Sequence, residues 1–173
     1  MKMFNKSLIW GIVLMTVCSC AKQTTPVLVP AVEVKPSSPL SVIGGVEPVY
    51  FLPMKSPFSA RIDTGAETSS LDVSNLRHFE RDGEKWVSFT LQNKNSGETY
   101  RFEKRVIRKV TIKRIAASEK RVTVNMNVKF GKEILNADFT LADREKFEYQ
   151  VLIGRNILNG RAIVDPSISN TLN

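Results

Sequence analysis

Histidine occurs once in this 173-residue chain, at His78, and cysteine twice, at Cys18 and Cys20. Zinc takes three or four Cys, His or carboxylate ligands, and no His-Glu-x-x-His run is present, so no metal is expected. Nor is there a Gly-x-x-x-x-Gly-Lys-Ser/Thr loop to cradle the phosphates of ATP, and no other cofactor is expected. Acidic residues are outnumbered, 17 against 25 Lys and Arg, for a net charge of +8. That balance favours anionic partners such as nucleic acid, acidic lipid headgroups or acidic peptides, without choosing among them. The hydrophobic fraction of 42% is ample for a packed core.

The first segment narrows the choice. Lys2 and Lys6 precede a mostly apolar run at residues 7–17, which ends in Val17-Cys18-Ser19-Cys20. A bilayer takes about 20 apolar residues, so this run is too short to span one, but it has the length of a signal-peptide core. A buried first helix is the alternative, and it would be amphipathic and capped. The closing residues resemble the bacterial lipobox, in which a small residue precedes a cysteine that becomes lipidated. The resemblance implies a signal peptide at 1–19 and a lipidated Cys20. Cys18 then leaves with the leader, so no internal disulfide is expected. Lys2 and Lys6 leave too, lowering the charge from +8 to +6. An exported basic protein meets anionic envelope surfaces rather than nucleic acid. Ala21 and Lys22 resemble the enteric sorting pattern for the periplasmic face of the outer membrane.

Residues 20–42 read as a tether. The stretch 21–41 holds four of the eight prolines and no sustained period, and its extended reach is about 60 Å. From residue 43 to 173 the pattern becomes short strands. Val87, Phe89 and Leu91 alternate with Ser88 and Thr90. Val122, Val124, Met126, Val128 and Phe130 alternate over the next such run, and Leu135, Ala137, Phe139 and Leu141 over another. Period-two alternation predicts half-buried antiparallel strands. Arg81-Asp82-Gly83, Asn95-Ser96-Gly97 and Gly131-Lys132 mark turns. One short helix is expected, at 155–159. The reading is an all-β domain, a closed barrel or sandwich.

Chemistry concentrates at Ile62-Asp63-Thr64-Gly65-Ala66. Asp-Thr-Gly alone is a common turn triplet. Its setting is more telling, because a second apolar segment broken by glycine, Leu152-Ile153-Gly154-Arg155-Asn156, lies far down the chain. Asp165 before Pro166 reads as a strand end, and Asp143 with Glu145 as a turn.

Together the two segments resemble those of the retropepsin-like aspartic proteases. The resemblance is closer to a bacterial subfamily labelled ATP-dependent zinc proteases. It rests on IDTGAETS at 62–69, FERDGEKW at 79–86 and LIGRNILNGRAIVDP at 152–166, and spans roughly 43–172. Glu67 and Asp72 depart from the subfamily's usual Arg and His. The resemblance implies a retropepsin-like barrel with Asp63 as the catalytic carboxylate of a peptidase. Thr64, Gly65 and Ala66 support its loop, Ile153, Gly154 and Asn156 belong to the second motif, and Glu67 is implied to pair with Arg155. Such hydrolysis needs two carboxylates sharing a proton. With one Asp-Thr-Gly per chain, the second must come from another copy in a homodimer. Some subfamily members resemble partners of ligases that add glutamate, which implies peptide substrates of acidic character. The hairpin 92–100 is a candidate flap, and the turn 81–83 its competitor. A non-catalytic peptide- or envelope-binding lipoprotein on the same fold is the other reading.

Overall fold

A computed structural model describes residues 40–113, 118–144 and 146–172. The leader 1–19, Cys20, the tether up to residue 39 and Glu145 lie outside the described residues. The strands in chain order are β1 (Ser41–Gly44), β2 (Val46–Phe51), β3 (Phe58–Ile62), β4 (Ser69–Asp72), β5 (Ser74–Arg81) and β6 (Glu84–Gln92). They continue with β7 (Thr99–Lys113), β8 (Ser118–Phe130), β9 (Glu133–Ala142), β10 (Val151–Ile153) and β11 (Ala162–Asp165). One helical turn, α1 (Arg155–Leu158), stands between the last two strands, where a short helix is expected from the sequence.

Six strands close a barrel in the order β2-β3-β10-β4-β9-β8, sealed where β8 pairs back onto β2 with Phe51 opposite Val128. Closure leaves no free edge around the core. The antiparallel run β7-β6-β5 extends from β8, with β5 outermost. A separate two-stranded ribbon joins β1 to β11, with Val42 opposite Ile163.

The alternation read from the sequence defines the core. Val124, Met126 and Val128 on β8 are fully buried, as are Val87 and Leu91 on β6 and Phe139 on β9. Phe51 meets Phe58 and Phe139 edge-on, with centroids 5.4 and 5.2 Å away. Such contacts add to burial, which stabilises by about 1.5–3 kcal/mol per large apolar side chain. The second face is less solvated than half-buried strands suggest. Arg121, Thr123 and Thr140 are buried as well.

The expectation of antiparallel pairing holds for β8–β9 and β6–β7 but is incomplete. β4 runs parallel to β9, β10 parallel to β3, and β1 parallel to β11. Each parallel pair joins segments far apart in sequence, so alternation within a strand carries no sign of it.

Candidate active site

β3 ends at Ile62, and Asp63 opens the loop that leads to β4. The Asp63 amide donates to the Ile153 carbonyl of the neighbouring β10 (2.9 Å), which fixes the start of the loop. The carboxylate then folds back on its own loop. Its Oδ1 accepts from the amides of Gly65 (2.9 Å) and Ala66 (3.2 Å), as a turn-forming aspartate does. Its Oδ2 has no hydrogen-bond partner among the described residues, and Asp63 is half-buried while Thr64 and Gly65 are exposed. The turn reading and the chemical reading of this triplet are therefore compatible. One oxygen shapes the loop and the other stays open to a reactant.

The second motif holds this loop from behind. The amides of Arg155 and Asn156 donate to the carbonyls of Ala66 (2.9 Å) and Glu67 (3.1 Å). Gly154 permits that approach, because a Cβ there would sit 2.9 Å from both the Ala66 oxygen and the Thr68 carbonyl carbon. Arg155 Nη1 donates to the carbonyls of Thr64 (3.1 Å) and Gly65 (2.9 Å). This corrects the expected Glu67–Arg155 pair. The guanidinium is taken by backbone oxygens, and Glu67 is an exposed side chain without a salt bridge among the described residues. The two residues are joined through backbone instead. Ile153 is buried in the core and carries the carbonyl that anchors Asp63.

Asn156 ties the helical turn α1 to β4 and β9. Its Oδ1 accepts from the amide (2.9 Å) and hydroxyl (2.8 Å) of Ser69, and its Nδ2 donates to the Asp138 carbonyl of β9 (2.9 Å). Ser69 Oγ in turn accepts from the Gly154 amide (3.0 Å), closing a buried cycle. The Thr140 hydroxyl donates to the Ser69 carbonyl (3.1 Å), and Arg108 Nη2 reaches Thr68 Oγ1 (3.1 Å). Ser69 closes the IDTGAETS string with no role of its own legible there, and Arg108 and Thr140 give no local signal, since their contacts cross from other strands.

Asp72 lies at the other end of β4 from Ser69. It accepts from the Arg144 amide (2.7 Å) and pairs with Lys94 (3.1 Å), which makes it a brace. Asp165 accepts from the hydroxyl and then the amide of Ser167, which hold its carboxyl below the usual range and end β11 as expected. The flap candidate at 92–100 is pinned elsewhere. Glu98 takes the amides of Lys55 and Ser56, and Asn93 donates to the Pro57 carbonyl, all just before β3, at the opposite end of that strand from Asp63. Among the described residues no three His, Cys, Asp or Glu side chains gather as a metal site.

A family model described as "Retropepsin-like aspartic endopeptidase RimB" matches residues 42–172. The chain belongs to the RimB-like family. That assignment bears out the resemblance carried by the IDTGA and LIGRN segments. A Legionella pneumophila protein of unknown function, Lpg0085 (DUF785), has a similar structure, with a TM-score of 0.66 and 30% identity. The match covers 77% of this RimB-like chain and 98% of the other. Two relatives named probable alpha-L-glutamate ligase are 36% and 33% identical, from Shewanella pealeana and Desulfotalea psychrophila. They align over 74% and 76% of this chain, and the aligned region spans 29% of each relative's length. The ligase name belongs to those longer proteins.

Proposed function

We propose that this RimB-like protein is an envelope-tethered aspartic peptidase that works as a homodimer, with one Asp63 from each copy. The observation that carries the reading is the Asp63 carboxylate itself, with one oxygen spent on the loop and one left open, on a loop clamped by the second motif. Across the dimer axis two such carboxylates share one proton. The ionised one removes a proton from water while the protonated one donates to the scissile carbonyl oxygen. Water oxygen bonds to the carbonyl carbon, giving a tetrahedral diol. The diol collapses as the carbon–nitrogen bond breaks and a proton passes to the departing amine.

Dimerisation is supported by the β1–β11 ribbon. It leaves Val42 56% and Ile163 54% exposed as a registered apolar pair. A lone two-stranded ribbon is marginally stable and has two open edges, so a second ribbon is a natural cover. With the 92–100 hairpin tied down, the β5–β6 turn at 81–83 is the remaining flap candidate. Tethering through Cys20 is supported by the lipobox-like ending of the leader, and peptides of the envelope are the substrates it would reach.

The test is cleavage of a peptide library by the purified protein and by Asp63→Asn, across pH. Loss of cleavage in the variant is expected. Equal cleavage by both would remove Asp63 from the mechanism. Tight peptide binding with no cleavage by either would favour a binding lipoprotein.

A further inference from the structure

Glu47 is an acidic side chain with no exposed surface at all. It lies on the inward face of β2, in phase with Val49 and Phe51. A buried carboxylate is costly unless its oxygens are fully engaged. Here the donors come from two directions. Oε1 accepts from the Gly44 amide (2.6 Å) and the Thr171 hydroxyl (2.6 Å), and Oε2 from the Leu172 amide (2.9 Å). Thr171 and Leu172 belong to the segment that follows β11. That segment runs back over β1 and β2, with the Asn170 amide on the Val46 carbonyl (2.9 Å) and the Gly45 amide on the Ile168 carbonyl (2.9 Å). The fit is tight, since a Cβ on Gly44 would overlap the Ile168 and Ser169 backbone.

The same short stretch touches the active strand. The Gly45 carbonyl accepts from the Ile62 amide (3.0 Å), one residue before Asp63. A continuous path therefore runs from the 166–172 segment through Glu47 and Gly44-Gly45 to the end of β3.

We propose that Glu47 is a positioning residue that couples docking of the 166–172 segment to the alignment of Asp63. With Thr171 and Leu172 in place the carboxylate is satisfied, Gly44-Gly45 is pinned, and Ile62 is held. With that segment undocked, the carboxylate loses two of its three donors and draws water, and the Gly45 carbonyl is released. Cutting or displacing the segment thus turns the site off at a distance. The structural coupling stands by itself. Its effect on turnover rests on the peptidase reading above.

The experiment compares the full chain with Thr171→Val, Thr171→Ser and Glu47→Gln. Amide hydrogen exchange is read at residues 60–66 and across β8 and β9, alongside peptide turnover. Hydrogen bonds to a charged group are strong, so loss of one should speed exchange at Ile62 by roughly tenfold in Thr171→Val. Turnover should fall with KM little changed, and Thr171→Ser, which keeps the hydroxyl, should restore both. Should Glu47→Gln fail to fold, the Thr171 pair decides. Unchanged exchange at 60–66 in Thr171→Val would overturn the coupling, and so would a rise that is uniform over β8 and β9. Local exchange that responds as expected, in a protein that cleaves nothing, would uphold the coupling and count against the peptidase reading alone.

Discussion

A single methyl group at position 154 would have no place to go. It would press on the Ala66 carbonyl oxygen and the Thr68 backbone, which cannot yield without moving the Asp63 loop. Gly154→Ala should therefore lower stability by about 1–3 kcal/mol in urea denaturation and remove cleavage with it. Arg155 differs in kind, because it is exposed and donates to two carbonyls of the loop. Arg155→Met keeps the stem but removes the fork. It should reduce turnover much more than thermal stability, measured on the same preparation. At this scale the two motifs were legible, since Ile62-Asp63-Thr64-Gly65-Ala66 and Ile153-Gly154-Arg155-Asn156 are local strings. The acceptors of Arg155 were not. A charge in a sequence invites pairing with the nearest opposite charge, whereas the folded loop presents carbonyls. Glu47 is a different case. It falls in the phase of Val49 and Phe51, and an acid in a core phase signals a buried network.

Elements were half legible. Alternation marked β6, β8 and β9, and the turn triplets marked their connections, because both signals lie within a few residues. Parallel partners were hidden, as was the destination of the 93–98 turn. That turn has a pH signature. Hydrogen bonds from the Lys55 amide, then from the Ser56 hydroxyl and amide, hold the Glu98 carboxyl below the usual range. A carboxyl with a folded value below its unfolded one favours the fold above its ordinary range. The benefit disappears as pH falls through the folded value. Glu98→Gln should thus melt below the wild type at neutral pH, and the gap should close on acidification. Melting curves from neutral to acidic pH would show it. A gap that persisted in acid would mean that the turn is held by something other than this carboxylate.

At the scale of the whole molecule, the proposed homodimer and lipid tether each make a prediction. Ile163→Asp places a charge on the apolar face of the ribbon without touching the barrel core. It should leave the monomer folded while lowering both dimer content in sedimentation and cleavage rate together. Cys20→Ser should shift the protein from the membrane to the soluble fraction of cells, with cleavage by the purified protein unchanged. The RimB-like fold was legible from the paired motifs. The proposed second copy rests on arithmetic, one Asp-Thr-Gly in a chemistry that needs two. The arrangement also sets an order in time. Arg155 Nη1 grips a carbonyl 90 residues upstream, and β1 finds its partner only when residues 162–165 exist. Contacts of such long range form late, after most of the chain is available. A polypeptide still emerging from the ribosome carries Asp63 and the turn its Oδ1 forms, but not the second motif that clamps the loop from behind. The Asp63 loop thus gains its clamp only after residues 154–156 have been made.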